Sequence, residues 1–367
     1  MTPETIAVAM SGGVDSSVAA ALLKAQGHDV VGITLQLWPK AAADLDRHHG
    51  CCSLDAVEDA RRVASRLDIP YYVLDVQEEF QARVVEPFLA DYEAGRTPNP
   101  CISCNNEVKF DLLLRKARSI GAGALATGHY ARVDEAEGRF RLLRGADPAK
   151  DQSYVLYGLG QEELRDARFP LGTWRKEDVR ARARELGLVT ADKPDSVEIC
   201  FVTGGDYREL LARRSADVAG EIRHVDGTVL GQHGGVWNYT VGQRSGLGAL
   251  PRGMFGPLFV VDIDAADRVV TMGPREALRR ESVEVGEVTF VAGAAPAAVF
   301  DAEVRVRYGA VPVATRVELE DGERVQLLPE VPLGSASPGQ AAVLSVGDEV
   351  LGGGRILRSV VRQAVPA

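Results

Sequence analysis

The sequence predicts an α/β protein in which a parallel-sheet domain precedes two modules rich in β-structure. Three observations support this class. Short apolar runs alternate with helical patterns up to about residue 130, glycines and short alternating runs become frequent after about residue 205, and all five cysteines lie in the first 200 residues. The predicted domains are 1–207, a central β-rich adapter at 208–276 and a C-terminal β-barrel at 277–367.

The first domain is predicted to be a parallel sheet with crossover helices. The predicted strands are 5–9, 30–37, 71–76 and 124–127, and the predicted helices are 16–26, 54–67, 108–119 and 176–187. In open parallel sheets, ligands bind beyond the carboxyl ends of the strands. We therefore expect the loops at Ser11, Leu35 and Gly128 to come together at one ligand site.

The two later modules are predicted from their turns. Aspartate-glycine pairs at Asp226-Gly227 and Asp321-Gly322 separate short alternating runs, as is typical of hairpins. Neither module contains a cysteine. The sequence therefore places its thiol chemistry in the first domain.

A glycine-rich turn, Ser-Gly-Gly-Val-Asp-Ser-Ser at residues 11–17, stands between an apolar run and a helical pattern. Its glycines allow close backbone approach to an anion, and the free amides and positive dipole end of the following helix attract one. The P-loop and dinucleotide-fold glycine spacings are both absent from it. The turn predicts a nucleotide-binding loop of another kind, and a turn that binds nothing is the alternative.

Composition narrows the class of protein. A hydrophobic content of 46% is ample for buried cores. No apolar run approaches the ~18 residues that a membrane span requires, and the N-terminus lacks a secretion signal, so we expect a cytoplasmic protein with no membrane association. An odd number of cysteines, 5, favours reactive or metal-binding thiols over a disulfide scaffold.

The formal net charge of −10 weighs against a nucleic-acid partner, because neutralisation of phosphates dominates such binding. Local charge matters more than the total. Six arginines of the last module could line one face: Arg305, Arg307, Arg316, Arg355, Arg358 and Arg362. On charge alone, ordinary solvated arginines are the favoured interpretation.

The cysteines fall into three groups. Cys101 and Cys104 follow Pro100, which imposes an extended entry, and a helix is predicted to begin at Val108, so that Cys104 lies near a helix start, where the reactive thiolate is stabilised. Cys200 ends an alternating segment, and a small buried hydrophobe is its alternative interpretation. No role is assigned to the Cys51-Cys52 pair, and a structural zinc site lacks a second Cys-x-x-Cys.

Several strings in a fixed order resemble the tRNA-specific 2-thiouridylases, a family of N-type ATP pyrophosphatases (PP-loop enzymes), over nearly the whole chain. The matching strings are 10–17 (MSGGVDSS), 95–105 (GRTPNPCISCN), 127–132 (TGHYAR), 150–154 (KDQSY), 199–201 (ICF), 240–248 (TVGQRSGLG), 307–308 (RY), 338–340 (PGQ) and 351–354 (LGGG). The resemblance implies an adenine nucleotide α-hydrolase-like domain, an adapter and a barrel that contacts tRNA.

The resemblance also implies a reaction. ATP, with Mg²⁺, adenylates the carbon-2 oxygen of the wobble uridine and releases pyrophosphate, and a cysteine persulfide then supplies the sulfur that displaces AMP. Expected partners are tRNAs for lysine, glutamate and glutamine, and a cysteine desulfurase or a sulfur-carrier protein. Two alternatives stay open: another PP-loop adenylating enzyme, either a different tRNA thiolase or a small-molecule ligase, and a non-enzymatic thiol or metal redox module.

Site residues follow from the same strings. The resemblance assigns Cys104 as the nucleophile and Cys200 as the persulfide carrier, which form a disulfide after transfer. The implied nucleotide contacts are Ala9, Met10, Ser11, Gly12, Gly13, Val14, Asp15, Ser16, Leu35 and Gly128. The implied tRNA contacts are Asn99, Pro100, Cys101, His129, Lys150, Asp151, Gln152, Arg307, Tyr308 and Gln340.

Cys101 departs from the family pattern, because other members often carry an aspartate at this position. With Cys101, Cys104 and Cys200, the chain has three thiols that could hold a [4Fe-4S] cluster with one iron open to a sulfide. The rival is a persulfide mechanism in which Cys101 is a spectator or an auxiliary thiol.

Overall fold

The computed structural model describes residues 3–37, 54–195, 199–202, 206–214, 218–246 and 256–361. Cys51, Cys52 and Arg362 lie outside this part of the chain. Within it, no helix combines the length and the apolar character needed to cross a bilayer.

Strands and helices alternate in the first half of the chain, and strands predominate in the second half. The strands are β1 (Thr5–Ala9), β2 (Asp29–Gln36), β3 (Tyr71–Asp75), β4 (Ala124–Ala126), β5 (Ala131–Ala136), β6 (Arg139–Arg144), β7 (Ala167–Arg168), β8 (Gly220–His224), β9 (Val229–His233), β10 (Phe259–Asp264), β11 (Val269–Gly273), β12 (Arg279–Phe290), β13 (Val299–Arg305), β14 (Val313–Asp321), β15 (Arg324–Pro329), β16 (Leu333–Gly334), β17 (Ala341–Val346) and β18 (Glu349–Val361). The helices are α1 (Val14–Ala25), α2 (Leu54–Arg66), α3 (Gln77–Phe80, the π-helical Gln81–Val85 and Glu86–Glu93), α4 (Pro100–Ser103, the π-helical Cys104–Leu113 and Leu114–Ser119), α5 (Gln161–Asp166), α6 (Lys176–Glu185) and α7 (Arg208–Arg214).

The first domain is built on a five-stranded parallel sheet in the order β3-β2-β1-β4-β7. The central strand β1 is buried on both faces. Ile6 and Val8 pack in a cluster with α1 and α6, whereas Ala7 packs in the opposite cluster with α4. Burial on both faces explains the continuous apolar run in the sequence, and the predicted parallel sheet is confirmed.

One predicted boundary is wrong. Helix α4 begins at Pro100, not at Val108. The backbone N–H of Cys101 donates to Asn99 Oδ1 at 3.2 Å, and Pro100 occupies the first helical position, where its missing N–H costs nothing. Cys101 and Cys104 therefore lie inside the start of a helix, rather than in a loop before it.

The predicted adapter and barrel are both present. The adapter contains a four-stranded sheet in the order β10-β11-β8-β9. Six strands, β12-β15-β14-β13-β17-β18, form the barrel, and pairing of β12 with β18 closes it. The two outer strands of this six-stranded set thus pair with each other, and the interior of the barrel is filled by apolar side chains such as Val304, Leu327 and Ile356.

A hairpin of the first domain extends the barrel sheet. Strands β5 and β6 pair with each other, and β6 pairs with β18 through Leu142–Val350 and Leu143–Glu349. The sequence analysis did not predict this pairing, because the two partners lie about 200 positions apart and the sequence of neither strand specifies its partner. The hairpin ties the first domain to the barrel.

Candidate active site

The phosphate loop, residues 11–16, joins β1 to α1 at the carboxyl end of the central strand. Gly12 has a φ of +68°, and a Cβ there would lie 2.1 Å from the carbonyl oxygen of Ala56 at the start of α2. The backbone N–H of Ser11 donates to Ser16 Oγ at 3.1 Å. The loop is thus folded back on itself at a helix N-terminus, which is the arrangement that binds phosphate.

The loop after β4 lies directly against the phosphate loop. A Cβ on Gly128 would lie 2.7 Å from the backbone nitrogen of Ser16, so only glycine fits. Leu35, near the end of β2, is half-buried between two apolar clusters. The expected convergence of the Ser11 and Gly128 loops is confirmed.

Two of the predicted nucleotide contacts are core residues. Met10 and Val14 are buried in the cluster under α1. The Met10 carbonyl accepts a hydrogen bond from Thr34 Oγ1 at 2.6 Å, and its N–H donates to the Ile33 carbonyl at 2.8 Å. Their side chains hold the loop in place, and the nucleotide contacts of 9–16 remain predictions.

Asp15 of the phosphate loop is held by two residues that the sequence analysis did not assign. Tyr130 donates its hydroxyl to Asp15 at 2.7 Å, and Lys176 Nζ donates to both carboxylate oxygens at 2.7 and 2.8 Å. Burial and the negative charge of Asp15 raise the pKa of Tyr130, so the phenol remains protonated. Lys176 stands in the first turn of α6, where a cation opposes the helix dipole, and this unfavourable position was the available signal.

Lys150 lies between the phosphate loop and the barrel. It donates to Asp195 at 2.8 Å, and this bond raises the pKa of Lys150, with further contributions from Asp15 and Tyr308. The ammonium group is therefore positively charged at neutral pH. A predicted tRNA contact thus lies within electrostatic reach of the nucleotide loop.

His129 is a buried neutral imidazole. Its Nδ1 shares a hydrogen bond of 2.6 Å with Thr127 Oγ1, and its ring packs against those of Phe110 and Phe169, with centroid separations of 6.4 and 6.1 Å. Burial and the positive charge of Lys109 hold its pKa well below the ordinary value. The predicted substrate contact by His129 would be made by an uncharged ring.

Two cysteines that are 96 positions apart in the chain meet at one apolar cluster. Cys104 and Cys200 are half-buried, and both pack against the cluster that contains Phe88 and Phe201. The Phe201 ring lies edge-on to Phe88, with centroids 5.0 Å apart. Because Phe201 is buried and adjacent in sequence to Cys200, it anchors that residue beside α3.

The three cysteines that the structure describes, Cys101, Cys104 and Cys200, are not grouped as metal ligands. In the described ranges, no group of three or more His, Cys, Asp or Glu side chains is placed to hold a metal ion. Cys101 is exposed, whereas Cys104 and Cys200 lie against the apolar cluster. The predicted [4Fe-4S] ligand set of Cys101, Cys104 and Cys200 is therefore not supported.

Predicted tRNA contacts from two domains line one small cavity of about 110 Å³. Asn99 and Pro100 enter from the start of α4, and Gln340 enters from the barrel. Gly339, with a φ of +91°, allows the barrel loop to approach the backbone of Thr97, whose N–H donates to the Pro338 carbonyl at 2.8 Å. The Pro-Gly-Gln string therefore joins the barrel to the start of α4.

Tyr308 continues this junction. It is half-exposed, and its ring lies 6.1 Å from that of Tyr154. Burial raises the pKa of its phenol, as do the charges of Asp151 and Cys101. Cys101 and Lys150 therefore lie within electrostatic reach of Tyr308, although the three residues come from separate strings of the sequence.

Asp151 and Gln152 are occupied by protein contacts. The carboxylate of Asp151 accepts Arg305 Nη1 at 2.9 Å, and the two side chains are only 7% and 8% exposed. Gln152 Oε1 accepts the N–H of Tyr130 at 3.0 Å. Direct tRNA contact by these two residues remains a prediction, and in this conformation they position neighbouring segments.

Two arginines of the barrel form ion pairs across its junction with the first domain. Arg305 pairs with Asp151, and Arg355 pairs with Asp91 of α3. Arg316 and Arg358 pair with glutamates of the barrel itself. These four do not form an unpaired basic face, whereas Arg307 is exposed beside Tyr308.

A phosphate loop at the central strand of a parallel sheet, an adapter and a closed barrel define a multidomain nucleotide-binding enzyme of the PP-loop class. Three family models match in succession: the tRNA methyl transferase HUP domain at 4–204, the tRNA methyl transferase PRC-barrel domain at 208–274 and the aminomethyltransferase beta-barrel domain at 280–356.

Comparison of the chain with individual relatives narrows the class of protein further. The chain is 50% identical over 358 residues to the tRNA-specific 2-thiouridylase MnmA of Geobacter metallireducens, with 96% of each chain covered. It is 48% identical over 357 residues to that of Carboxydothermus hydrogenoformans, covering 96% of this chain and 97% of the relative. A solved 4-thiouridine synthetase–RNA complex with bound ATP aligns over 54% of this chain and 45% of its own, at 19% identity and a TM-score of 0.36, too distant a likeness to support an argument. The chain belongs to the family of tRNA-specific 2-thiouridylases, which are sulfurtransferases.

Proposed function

We propose that this protein uses ATP to transfer sulfur to carbon 2 of the wobble uridine of tRNA, and that tRNAs for lysine, glutamate and glutamine are its substrates. The observation that carries the proposal is the joint placement of Cys104 and Cys200 at one cluster, in the domain that also bears the phosphate loop. We place the reaction in the cytoplasm, where reducing conditions regenerate thiols between turnovers.

The first step activates the uridine. Its carbon-2 oxygen attacks the α-phosphorus of ATP, and pyrophosphate leaves towards the amides of residues 11–16, where the helix dipole stabilises its charge. The partly exposed carboxylate of Asp15 would hold Mg²⁺ together with the substrate phosphates, and the cation would supply positive charge to stabilise the leaving pyrophosphate. Lys176 balances the Asp15 charge in the absence of the cation.

The second step delivers sulfur. We assign the persulfide to Cys200 and the attacking thiol to Cys104. When the two become a disulfide, they supply two electrons to the outer sulfur, which is released as sulfide and replaces the oxygen at carbon 2. That oxygen leaves as part of AMP, and one proton is released. A cysteine desulfurase, directly or through a sulfur carrier, would reload Cys200 after the disulfide is reduced.

The test is direct formation of product. Purified protein is incubated with unmodified lysine tRNA, ATP, Mg²⁺ and a persulfide donor, and digested nucleosides are analysed by mass spectrometry. We expect 2-thiouridine from the wild type, and a loss of at least about 10³-fold in Cys104→Ser and Cys200→Ser, since each removes a group that reacts covalently.

Cys101→Ser is the matched comparison, because this exposed thiol lies in the same helical turn as Cys104 and serine keeps a polar group for the tRNA contact that the resemblance implies. It is expected to retain product formation within about threefold. Substantial 2-thiouridine from either of the other two serine variants would refute the two-thiol mechanism. Pyrophosphate release without any thiolated nucleoside in the wild type would instead favour another adenylating activity.

A further inference from the structure

The carboxylate of Asp195 binds three cationic side chains, one of which also holds the phosphate loop. Asp195 precedes the described segment 199–202, called here the Cys200 segment, in the chain. The carboxylate oxygens of Asp195 accept hydrogen bonds from Lys150 Nζ at 2.8 Å, Lys176 Nζ at 2.8 Å and Arg180 Nη2 at 2.7 Å. Its side chain is 29% exposed. No string of the sequence analysis assigned it a role.

Each cation connects Asp195 to a different part of the site. Lys176 also holds Asp15 of the phosphate loop. Lys150 belongs to the Lys-Asp-Gln string and lies near Tyr308 of the barrel. Arg180 donates through Nη1 to the carbonyls of Ala191 and Lys193, both at 2.9 Å, and so fixes the chain that leads to Asp195. The carboxylate is therefore a shared counter-ion for the nucleotide and tRNA sides of the site.

Asp195 and Cys200 are also close in the sequence. Asp195 precedes Cys200 by five residues, a distance of at most about 18 Å when the chain is extended. Beyond the thiol, Phe201 is buried against Phe88, and the N–H of Val202 donates to the Ile199 carbonyl at 2.9 Å. Two described residues that flank the thiol in the sequence are therefore fixed, Asp195 by ion pairs and Phe201 by apolar packing.

We propose that Asp195 is a positioning residue for sulfur transfer, which fixes the Cys200 segment relative to the phosphate loop and Lys150. The inference rests on the proposed role of Cys200 as the persulfide carrier. Reacting atoms must be positioned to within a few tenths of an ångström of the reactive geometry. Loss of this anchor should therefore impair sulfur delivery more than adenylation. Asp195 itself touches neither the nucleotide nor the base in this assignment.

The experiment compares Asp195→Asn, which keeps the shape and removes the charge, with Asp192→Asn. Asp192 is three positions away in the same segment, and its side chain is 77% exposed and pairs with Arg184. In single-turnover reactions, tRNA-dependent pyrophosphate release and 2-thiouridine are measured together. We expect the ratio of pyrophosphate released to 2-thiouridine formed to be near one for the wild type and Asp192→Asn. For Asp195→Asn we expect this ratio to be about ten or more.

Equilibrium binding of tRNA should not weaken in Asp195→Asn, because Lys150 loses a competing anion. Asp195→Glu restores the charge and is expected to recover part of the coupling. A purely structural role would lower both products in the same proportion and leave the ratio at one, which would overturn the proposal.

A second measurement is independent of turnover. Alkylation of each thiol by iodoacetamide is followed by peptide mapping. We expect Cys200 to react several-fold faster in Asp195→Asn than in Asp192→Asn, with Cys101 unchanged. Equal Cys200 rates in the two variants would overturn the positioning role. If the wild type makes no 2-thiouridine, the proposed function fails, and the alkylation rates still decide the role of Asp195.

Discussion

Asp195 and Asp15 show how single side chains organise this site. Each is a carboxylate bonded to Lys176, but Asp15 lies in a recognisable string, whereas Asp195 follows an unremarkable Lys-Pro pair. Lys176 and Tyr130 were likewise unassigned until the structure placed them on Asp15. Partners of a conspicuous residue are invisible in sequence when they come from other elements, because only folding brings them within hydrogen-bond distance.

The charge of Asp195 predicts a pH dependence of stability. Burial raises the pKa of this carboxyl, but hydrogen bonds from Lys150 and Lys176 outweigh it and lower the pKa from 3.8 to about 2. Because the folded pKa is depressed, the stabilisation is complete above the unfolded value and is lost as pH falls towards the folded one. The advantage in unfolding free energy over Asp195→Asn should be constant at neutral pH and shrink below about pH 4.

Urea denaturation of both proteins across this range checks the prediction. For Asp192→Asn, a substitution at an exposed site, the difference in unfolding free energy from the wild type should not change with pH in this range. An advantage that grows as the pH falls would contradict the assignment of Lys150, Lys176 and Arg180 as its partners.

At the scale of elements, the start of α4 decides where two cysteines lie. Asn99 caps the helix, Pro100 opens it, and Cys101 and Cys104 follow within the first five residues. The signal was present in the sequence, since asparagine followed by proline is a common helix start. The extended entry before Pro100 was predicted correctly, but the helical pattern of apolar residues becomes evident only at Val108.

Removal of the cap should loosen this turn. Asn99→Ala loses the acceptor for the Cys101 N–H and should cost about 1 kcal/mol locally, so amide hydrogen exchange over 101–104 should accelerate about fivefold. Asn99→Asp keeps an acceptor and should exchange at close to the wild-type rate. Unchanged exchange in the alanine variant would show that the turn is held by other contacts.

At the scale of the whole molecule, the barrel and the first domain form a continuous structure. The β5–β6 hairpin pairs with β18, Gly339 abuts Thr97, and Arg305 crosses the junction to Asp151. Predicted tRNA residues from both sides meet there. The barrel therefore helps to shape the cavity where the target base is predicted to bind.

The Arg305–Asp151 pair should matter to stability. Loss of one partner of a buried ion pair leaves an uncompensated charge, so Arg305→Met should lower the unfolding free energy by about 3 kcal/mol. Arg316→Met is the control, because its side chain is 58% exposed, and it should change stability by less than about 0.5 kcal/mol. Urea denaturation followed by tryptophan fluorescence makes the comparison. Equal effects of the two substitutions would argue against a stabilising junction.

Local patterns in the sequence predicted strands β1–β4 and helices α1, α2 and α6 of the first domain, the glycine-rich loop and the change to β-structure, because apolar periodicity and turn chemistry are properties of neighbouring residues. The ordered strings also indicated the family, which the comparisons confirm.

Tertiary structure alone decided which residues meet: Lys176 and Tyr130 at Asp15, three cations at Asp195, Cys104 and Cys200 at one cluster, and the hairpin at the barrel. It also withdrew support from the three-cysteine metal centre. The physical reason is that hydrogen bonds, ion pairs and packing depend on distances across the fold, whereas sequence spacing constrains only residues within a few turns of one another.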